Sequence, residues 1–213
     1  MIQIYIIHYK KLKDRKNFIV DQLAKFQLNN YEFIEIDRDE LENYDISIFK
    51  DKNPSHQFAI SLSHMYAYEE IKNKHDFALI LEDDVILSPR FDHILQEYLT
   101  QLPRDFDMCF IGNGCNLHIQ AHNLVPGRNI YKKENTPTAW GGNGATRCTD
   151  SYIVSKKCAI QICNYIKGLN YKIDQAIDWW LNTACRENNF NIYWAEPTIV
   201  TQGSQSGKFK SSY

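Results

Sequence analysis

Three consecutive acids, Glu82, Asp83 and Asp84, stand between two apolar runs, Phe77-Ala78-Leu79-Ile80-Leu81 and Val85-Ile86-Leu87. Adjacent carboxylates repel one another and resist leaving water, so folding alone gives no reason to set them between core-forming segments. A bound divalent cation supplies a reason. If the backbone stays extended through the acids, alternation puts Glu82 and Asp84 on one face and Asp83 on the other. Two hard oxygen ligands at that spacing suit Mg²⁺ or Mn²⁺, which take one or two carboxylates and complete their shell with phosphate and water. The plain alternative is a solvated acidic turn, and such turns seldom carry apolar runs on both sides. A second pair of acids stands in IDQAIDWWL, where a helix would put Asp174 and Asp178 on a shared face. Two readings fit that pair: an N-cap with a general base, or an N-cap with a solvated acid.

These groups need elements to hold them. Phe77 to Leu81 is an unbroken apolar run of strand length, as a central strand covered on both faces requires. Upstream, Ile2 to His8 reads as a first strand and the following segment, with Leu12, Ile19, Leu23 and Phe26, as a helix. That βα junction is where nucleotides bind in open α/β sheets, so Arg15 stands either at a phosphate or base or in solvent. Tyr31 to Ile36 is a second strand, its polar end beside that of the first if the sheet is parallel. Ser55 is placed to cap a helix whose inward face carries Phe58, Leu62, Met65 and Tyr66; His64 interrupts that stripe and reads as a structural group, a ligand or a base.

Ser88-Pro89 marks the start of a further helix ending near Leu102-Pro103. Asp105 to Ile111, Ile130 to Lys132, Ser151 to Ser155 and Phe190 to Trp194 are strands, the last of these closing the set. Ser155 caps a helix that stops at Gly168. The TPTAWGGNGATRCTD segment carries Gly141, Gly142, Gly144 and Trp140 without any phosphate-loop fingerprint, which favours a substrate-contacting loop. Residues from Thr201 onward read as a tail, mobile over about 203–213.

The 213 residues fit one domain spanning 1–213, and the net charge of −2 gives no general pull toward nucleic acid or anionic membrane. The apolar N-terminal stretch is too short to span a bilayer and lacks a basic region and cleavage site. A cytoplasmic protein, or a soluble domain of a larger assembly, is expected. The six cysteines, Cys109, Cys115, Cys148, Cys158, Cys163 and Cys185, show no CxxC pair and no zinc spacing, so reduced thiols are expected.

The segments IYIIHYKKLKDRK, ISLSHMYAYEEI, ALILEDDVIL, TDSYIVSKKCA, IDQAIDWWL and EPTIVTQ, in this order and spacing, resemble glycosyltransferase family 25, the lipopolysaccharide glycosyltransferases and procollagen galactosyltransferases. The resemblance implies an α/β fold of GT-A type, a single Rossmann-like nucleotide-binding domain with a mixed central sheet flanked by helices. It also implies Mn²⁺ (or Mg²⁺), a UDP-sugar donor, an acceptor that is a glycan or a hydroxylated protein side chain, and inversion at the anomeric carbon. Asp84 would hold the cation, with Glu82 or Asp83 assisting. Asp178 is the first choice of base, with Asp150 and Asp174 as alternatives. Arg15, His64 and Gln202 would contact the donor. A nucleotidyltransferase, which also sets acids and a metal at a strand end, and an inactive nucleotide- or glycan-binding module are the competing classes.

Overall fold

The computed structural model describes residues 2–51, 58–133, 146–168 and 172–210. The chain runs β1 (Gln3–His8), α1 (Lys13–Lys25), β2 (Tyr31–Glu35), α2 (Phe58–Lys74), β3 (Phe77–Glu82), β4 (Val85–Leu87), α3 (Phe91–Gln101), β5 (Met108–Phe110), β6 (Ile130–Lys132), β7 (Ser151–Ser155), α4 (Lys156–Lys167), α5 (Ile177–Glu187), β8 (Ile192–Ala195) and β9 (Val200–Gln202). A mixed seven-stranded sheet in the order β2-β1-β3-β7-β5-β8-β6 forms the centre, and β4 pairs antiparallel with β9 beside it. This is the expected α/β architecture of a mixed sheet with helices on both faces.

Alternation along the strands builds the two apolar layers. Tyr5, Ile7, Ile80, Phe110, Tyr152 and Trp194 face α2, α4 and α5. Ile4, Ile6, Leu79, Leu81, Cys109 and Ile153 face α1 and α3. Because each central strand is covered twice, both sets are apolar, which is why these segments read as continuous runs.

Strand direction positions the polar residues. β1 lies parallel to β2 and β3, while β7 runs antiparallel to both β3 and β5, and β8 runs parallel to β5. Strands β1, β2, β3, β5 and β8 therefore finish at one edge of the sheet, and β7 starts there. The amide of Glu82 at the end of β3 donates to the carbonyl of Asp150 just ahead of β7, at 2.8 Å.

Several expectations are corrected. Asp83 and Asp84 form a turn between β3 and β4, so the extended alternation through the acids does not occur. Parallel pairing of β3 with β1 ends at Ile7 opposite Glu82, and nothing beyond it holds the backbone straight. Tyr66 is 42% exposed, while Ala59, Ser63, His64, Ala67 and Tyr68 are buried, because α2 packs against α4 and α5 as well as the sheet. The helix expected at Ser88-Pro89 starts at Phe91 after a left-handed Arg90. The Ser88 amide is instead engaged by the Ile199 carbonyl at 3.0 Å. The last strand is β9, not the segment ending at Trp194. Helix α5 begins at Ile177, so Asp174 lies outside it, and its N-cap is Ala176 without a side-chain bond. Ser155 does cap α4, accepting from the Cys158 amide, and Gly168 ends that helix. Residues 203–210, read above as mobile, turn back over the start of α1, with Phe209 against Phe18. Ser55, Trp140 and the glycines at 141, 142 and 144 lie outside the described residues.

Candidate active site

At the sheet edge where β1 and β3 end, a cavity of about 320 Å³ opens. Its walls include His8, Arg15, Arg38, Ser63, the three acids and Gln202. The turn at Asp83 brings all three carboxylates to this one cavity.

The acids are held differently. Asp83 is spoken for: His8 Nδ1 donates to Oδ2 at 2.7 Å and Arg15 NH1 donates to Oδ1 at 3.0 Å. Arg15 itself is only 7% exposed, and its NH2 donates to the Lys210 carbonyl at 2.6 Å, so the solvated reading of this arginine does not hold. Asp84 is 2% exposed; its Oδ2 accepts from the Ser204 amide at 3.1 Å and its backbone carbonyl from Gly203 at 2.8 Å. A side chain at 203 would collide with that carbonyl, which accounts for the glycine. Asp84 Oδ1 is buried with no partner. Burial, and after it Glu82, push the Asp84 carboxyl above its usual range against the opposing pull of Ser204 and Arg15. Glu82 accepts from Thr149 Oγ1 at 3.0 Å and stands where the cavity meets the start of β7.

An orphaned carboxylate oxygen beside a second carboxylate that raises its pKa fits a hard divalent cation. Among the described residues no group of three or more His, Cys, Asp or Glu side chains is arranged to hold a metal. A cation here would thus rest on Asp84 and Glu82 and fill its remaining positions with phosphate and water, the usual habit of Mg²⁺. Asp83 is instead taken up by Arg15, whose charge it balances, and by the His8 ring.

His64 does not line the cavity. It is fully buried behind Glu82, with Nε2 at 3.7 Å from Glu82 Oε1, too far for a hydrogen bond. Its Nδ1 meets the Tyr152 hydroxyl at 2.7 Å, and Tyr152 meets the Tyr68 hydroxyl at 2.6 Å. If Nδ1 carried the proton, Tyr152 would donate to Tyr68 and strand the buried Tyr68 proton without an acceptor, a cost of about 1–3 kcal/mol. The opposite sense satisfies both hydroxyls and Nδ1: Tyr68 donates to Tyr152 and Tyr152 donates to Nδ1, which leaves the proton on Nε2, without a hydrogen-bond partner but 3.7 Å from the Glu82 carboxylate. The tautomer is assigned from this network.

The base candidates separate. Asp150 is sealed in the interior, with Oδ1 unpartnered and Oδ2 accepting from Ser151 Oγ at 2.9 Å. Burial, then Glu82, push it up to about 8, so at neutral pH it is largely a neutral acid. Asp178, in the first turn of α5, is half-buried; Oδ1 accepts from the Trp179 amide at 2.9 Å. Burial raises its pKa, the Trp179 amide lowers it, and Glu82 and His64 both act on it through space. Asp174 is exposed and turns to Lys50 Nζ at 3.6 Å. Trp180 is 3% exposed and belongs to the core, while Trp179 beside it is 52% exposed.

The sequence reading missed His8, Arg38, Ser204 and the Arg147–Glu196 pair. His8 was findable as a polar residue ending an apolar parallel strand. Arg147 is fully buried, stacked on Trp194 at 4.4 Å from the ring centroid, and donates to Glu196 Oε1 and to the Ala195 carbonyl. Glu196 Oε1 also accepts from the Ile119 amide at 2.9 Å. No sequence pattern joins positions so far apart.

Comparison with known proteins adds the following. A family model described as glycosyltransferase family 25 (LPS biosynthesis protein) matches residues 1–177. No curated protein matches the sequence. Among solved structures, a mutant of Drosophila beta-1,4-galactosyltransferase 7 in complex with manganese, UDP-Gal and xylobiose is 9% identical over 99% of this chain and 75% of its own, with a TM-score of 0.49. The galactosyltransferase LgtC in complex with donor and acceptor sugar analogs is 7% identical over 94% of this chain and 86% of its own, with a TM-score of 0.48. At such identities residue roles are argued from this chain's own geometry.

Proposed function

The chain belongs to glycosyltransferase family 25, and from that premise we propose that it is a cation-dependent, inverting hexosyltransferase. It moves galactose or glucose from a UDP-sugar to a hydroxyl of a glycan or of a hydroxylated protein side chain. The observation that carries this reading is the unpartnered, buried Asp84 Oδ1 beside Glu82 at the wall of the cavity.

Asp84 and Glu82 would hold Mn²⁺ or Mg²⁺, and the chemistry supplied there is Lewis-acid neutralisation of charge growing on the departing diphosphate. The remaining roles fall to the chain itself. Arg15 and His8 fix Asp83 and so fix the turn that sets Asp84. Gln202, Ser204 and Arg38 line the cavity and are offered to the nucleotide. Thr149 Oγ1 orients Glu82 on one side, and the Nε2–H of His64 stabilises its charge from behind. Asp178 takes the acceptor proton, since it is reachable from solvent and keeps an amide bond that favours its charged form. Asp150 is a poor base while sealed and neutral.

The test is donor hydrolysis and transfer with and without Mn²⁺, for wild type and Asp84→Ala. Activity should require the cation and fall in the folded variant; undiminished turnover would remove the cation site. Free UDP as product supports glycosyl transfer, whereas pyrophosphate would assign the chain to nucleotidyl transfer.

A further inference from the structure

The loop leaving β5 and the segment entering β7 bring two thiols together at the same edge of the sheet. Cys115 is exposed and Cys148 half-buried, and their Sγ atoms stand 3.3 Å apart, a contact between separate thiols. The backbone is bent to make this approach. Cys115, Asn116 and Cys148 all have positive φ, at 52°, 54° and 59°, a conformation non-glycine residues seldom adopt. A Cβ at Gly114 would lie 1.9 Å from the Arg147 carbonyl oxygen, so only glycine lets the two segments come this close. Both flanks are anchored: Arg147 bonds Glu196, and Glu196 in turn bonds the Ile119 amide. The contact is thus set by buried partners on either side. The other four cysteines, Cys109, Cys158, Cys163 and Cys185, are buried.

We propose that Cys115 and Cys148 form a thiol–disulfide exchange site that reacts with low-molecular-weight disulfides and closes to an intramolecular disulfide. In the first step the Cys115 thiolate attacks one sulfur of the small disulfide, a new S–S bond forms at Cys115, and one small thiolate leaves. In the second, the Cys148 thiol loses its proton to water and the thiolate attacks Cys115 Sγ, breaking the mixed S–S bond and expelling the second small thiolate, which takes up a proton from water. Two protein thiols are oxidised and one small disulfide is reduced to two thiols. Exposure makes Cys115 the entry point. Burial and, after it, the hydrogen bond with Cys115 push the Cys148 thiol up, so Cys115 reacts first, and the Cys115 share of that push is lifted once its sulfur lies in a mixed disulfide. The cross-link ties the loop after β5 to the residues that lead into Thr149 and Asp150, so the redox state of the pair sets how far these segments can part.

The experiment uses the full reduced chain, freed of reductant and incubated with excess glutathione disulfide, followed by alkylation and non-reducing peptide mapping. Wild type should yield a Cys115–Cys148 linked peptide, with the other four thiols alkylated only after denaturation. Cys148→Ser should trap glutathione on Cys115, and Cys115→Ser should leave Cys148 unmodified. Absence of the linked peptide in wild type, a glutathione adduct persisting there on Cys115, or Cys115 linked between molecules would each overturn the proposal.

Discussion

Replacing Glu196 with Gln tests the claim that a buried ion pair fixes the approach to β7. The Arg147 side chain is fully enclosed and the Glu196 side chain is 9% exposed, so the substitution leaves a guanidinium in the interior without its counter-charge. Removing one partner of such a pair costs about 3–5 kcal/mol. Gln keeps an acceptor for Arg147 and for the Ile119 amide, which puts the expected loss near the lower figure, about 3 kcal/mol. For a chain of this size ~1 kcal/mol lowers the melting temperature by ~2–4 °C, so Glu196→Gln should melt roughly 6–12 °C lower. Thermal unfolding followed by circular dichroism at neutral pH measures it. The companion is Arg147→Met/Glu196→Gln, which removes the buried charge altogether and should melt well above the single variant. A single variant within about 1 kcal/mol of wild type, or a double variant no better than the single, would refute the reasoning.

Asp178→Asn should lower kcat by roughly 10²–10⁴-fold while donor KM stays close to wild type, read from initial rates; a normal kcat would pass the role of base to another group. Asp150→Asn concerns pH. The native pKa of Asp150 is raised to about 8 from an unfolded value of 3.8, so the folded chain holds a proton the unfolded chain has lost, and stability falls as pH rises across that window. The neutral variant should therefore gain on wild type toward pH 8 and show no gain near pH 4 in cation-free urea melts, whereas a pH-independent difference would contradict the shift. Truncation before Gly203 removes the amide bonds to Asp84 and the carbonyl that receives Arg15, and should weaken UDP binding measured by calorimetry. Unchanged affinity would show that segment to be dispensable.

Local pattern made much of the fold legible. The strands Gln3–His8, Phe77–Glu82 and Ser151–Ser155 were legible because double coverage demands apolar residues through their middles, Ile4 to Ile7, Ala78 to Leu81 and Tyr152 to Val154, and Ser155 and Gly168 bracket α4 by local capping. What escaped depends on distant partners. The turn at Asp83 is stabilised by His8, Arg15 and Ser204, none near it in sequence. Tyr66 looked inward because α2 has little amphipathic character when several elements cover it. Strand β9 is three residues long and exists because β4 offers it an edge. For the candidate site, the acid cluster at the cavity was readable by residue type, while the sealing of Asp150, the engagement of Asp83 and the concealment of His64 followed only from burial.

The antiparallel register of β7 on β3 works as a caliper. Leu81 opposes Ser151, and one step farther the Glu82 amide bonds the Asp150 carbonyl, which keeps the Glu82 charge close enough to raise the Asp150 carboxyl. Moving the ladder by one position would turn the Tyr152 face to the wrong side, and the next permitted setting lies two residues away, about 7 Å off. Length changes in this chain must then be absorbed by the connections, while the jaws of the gauge stay at a constant opening.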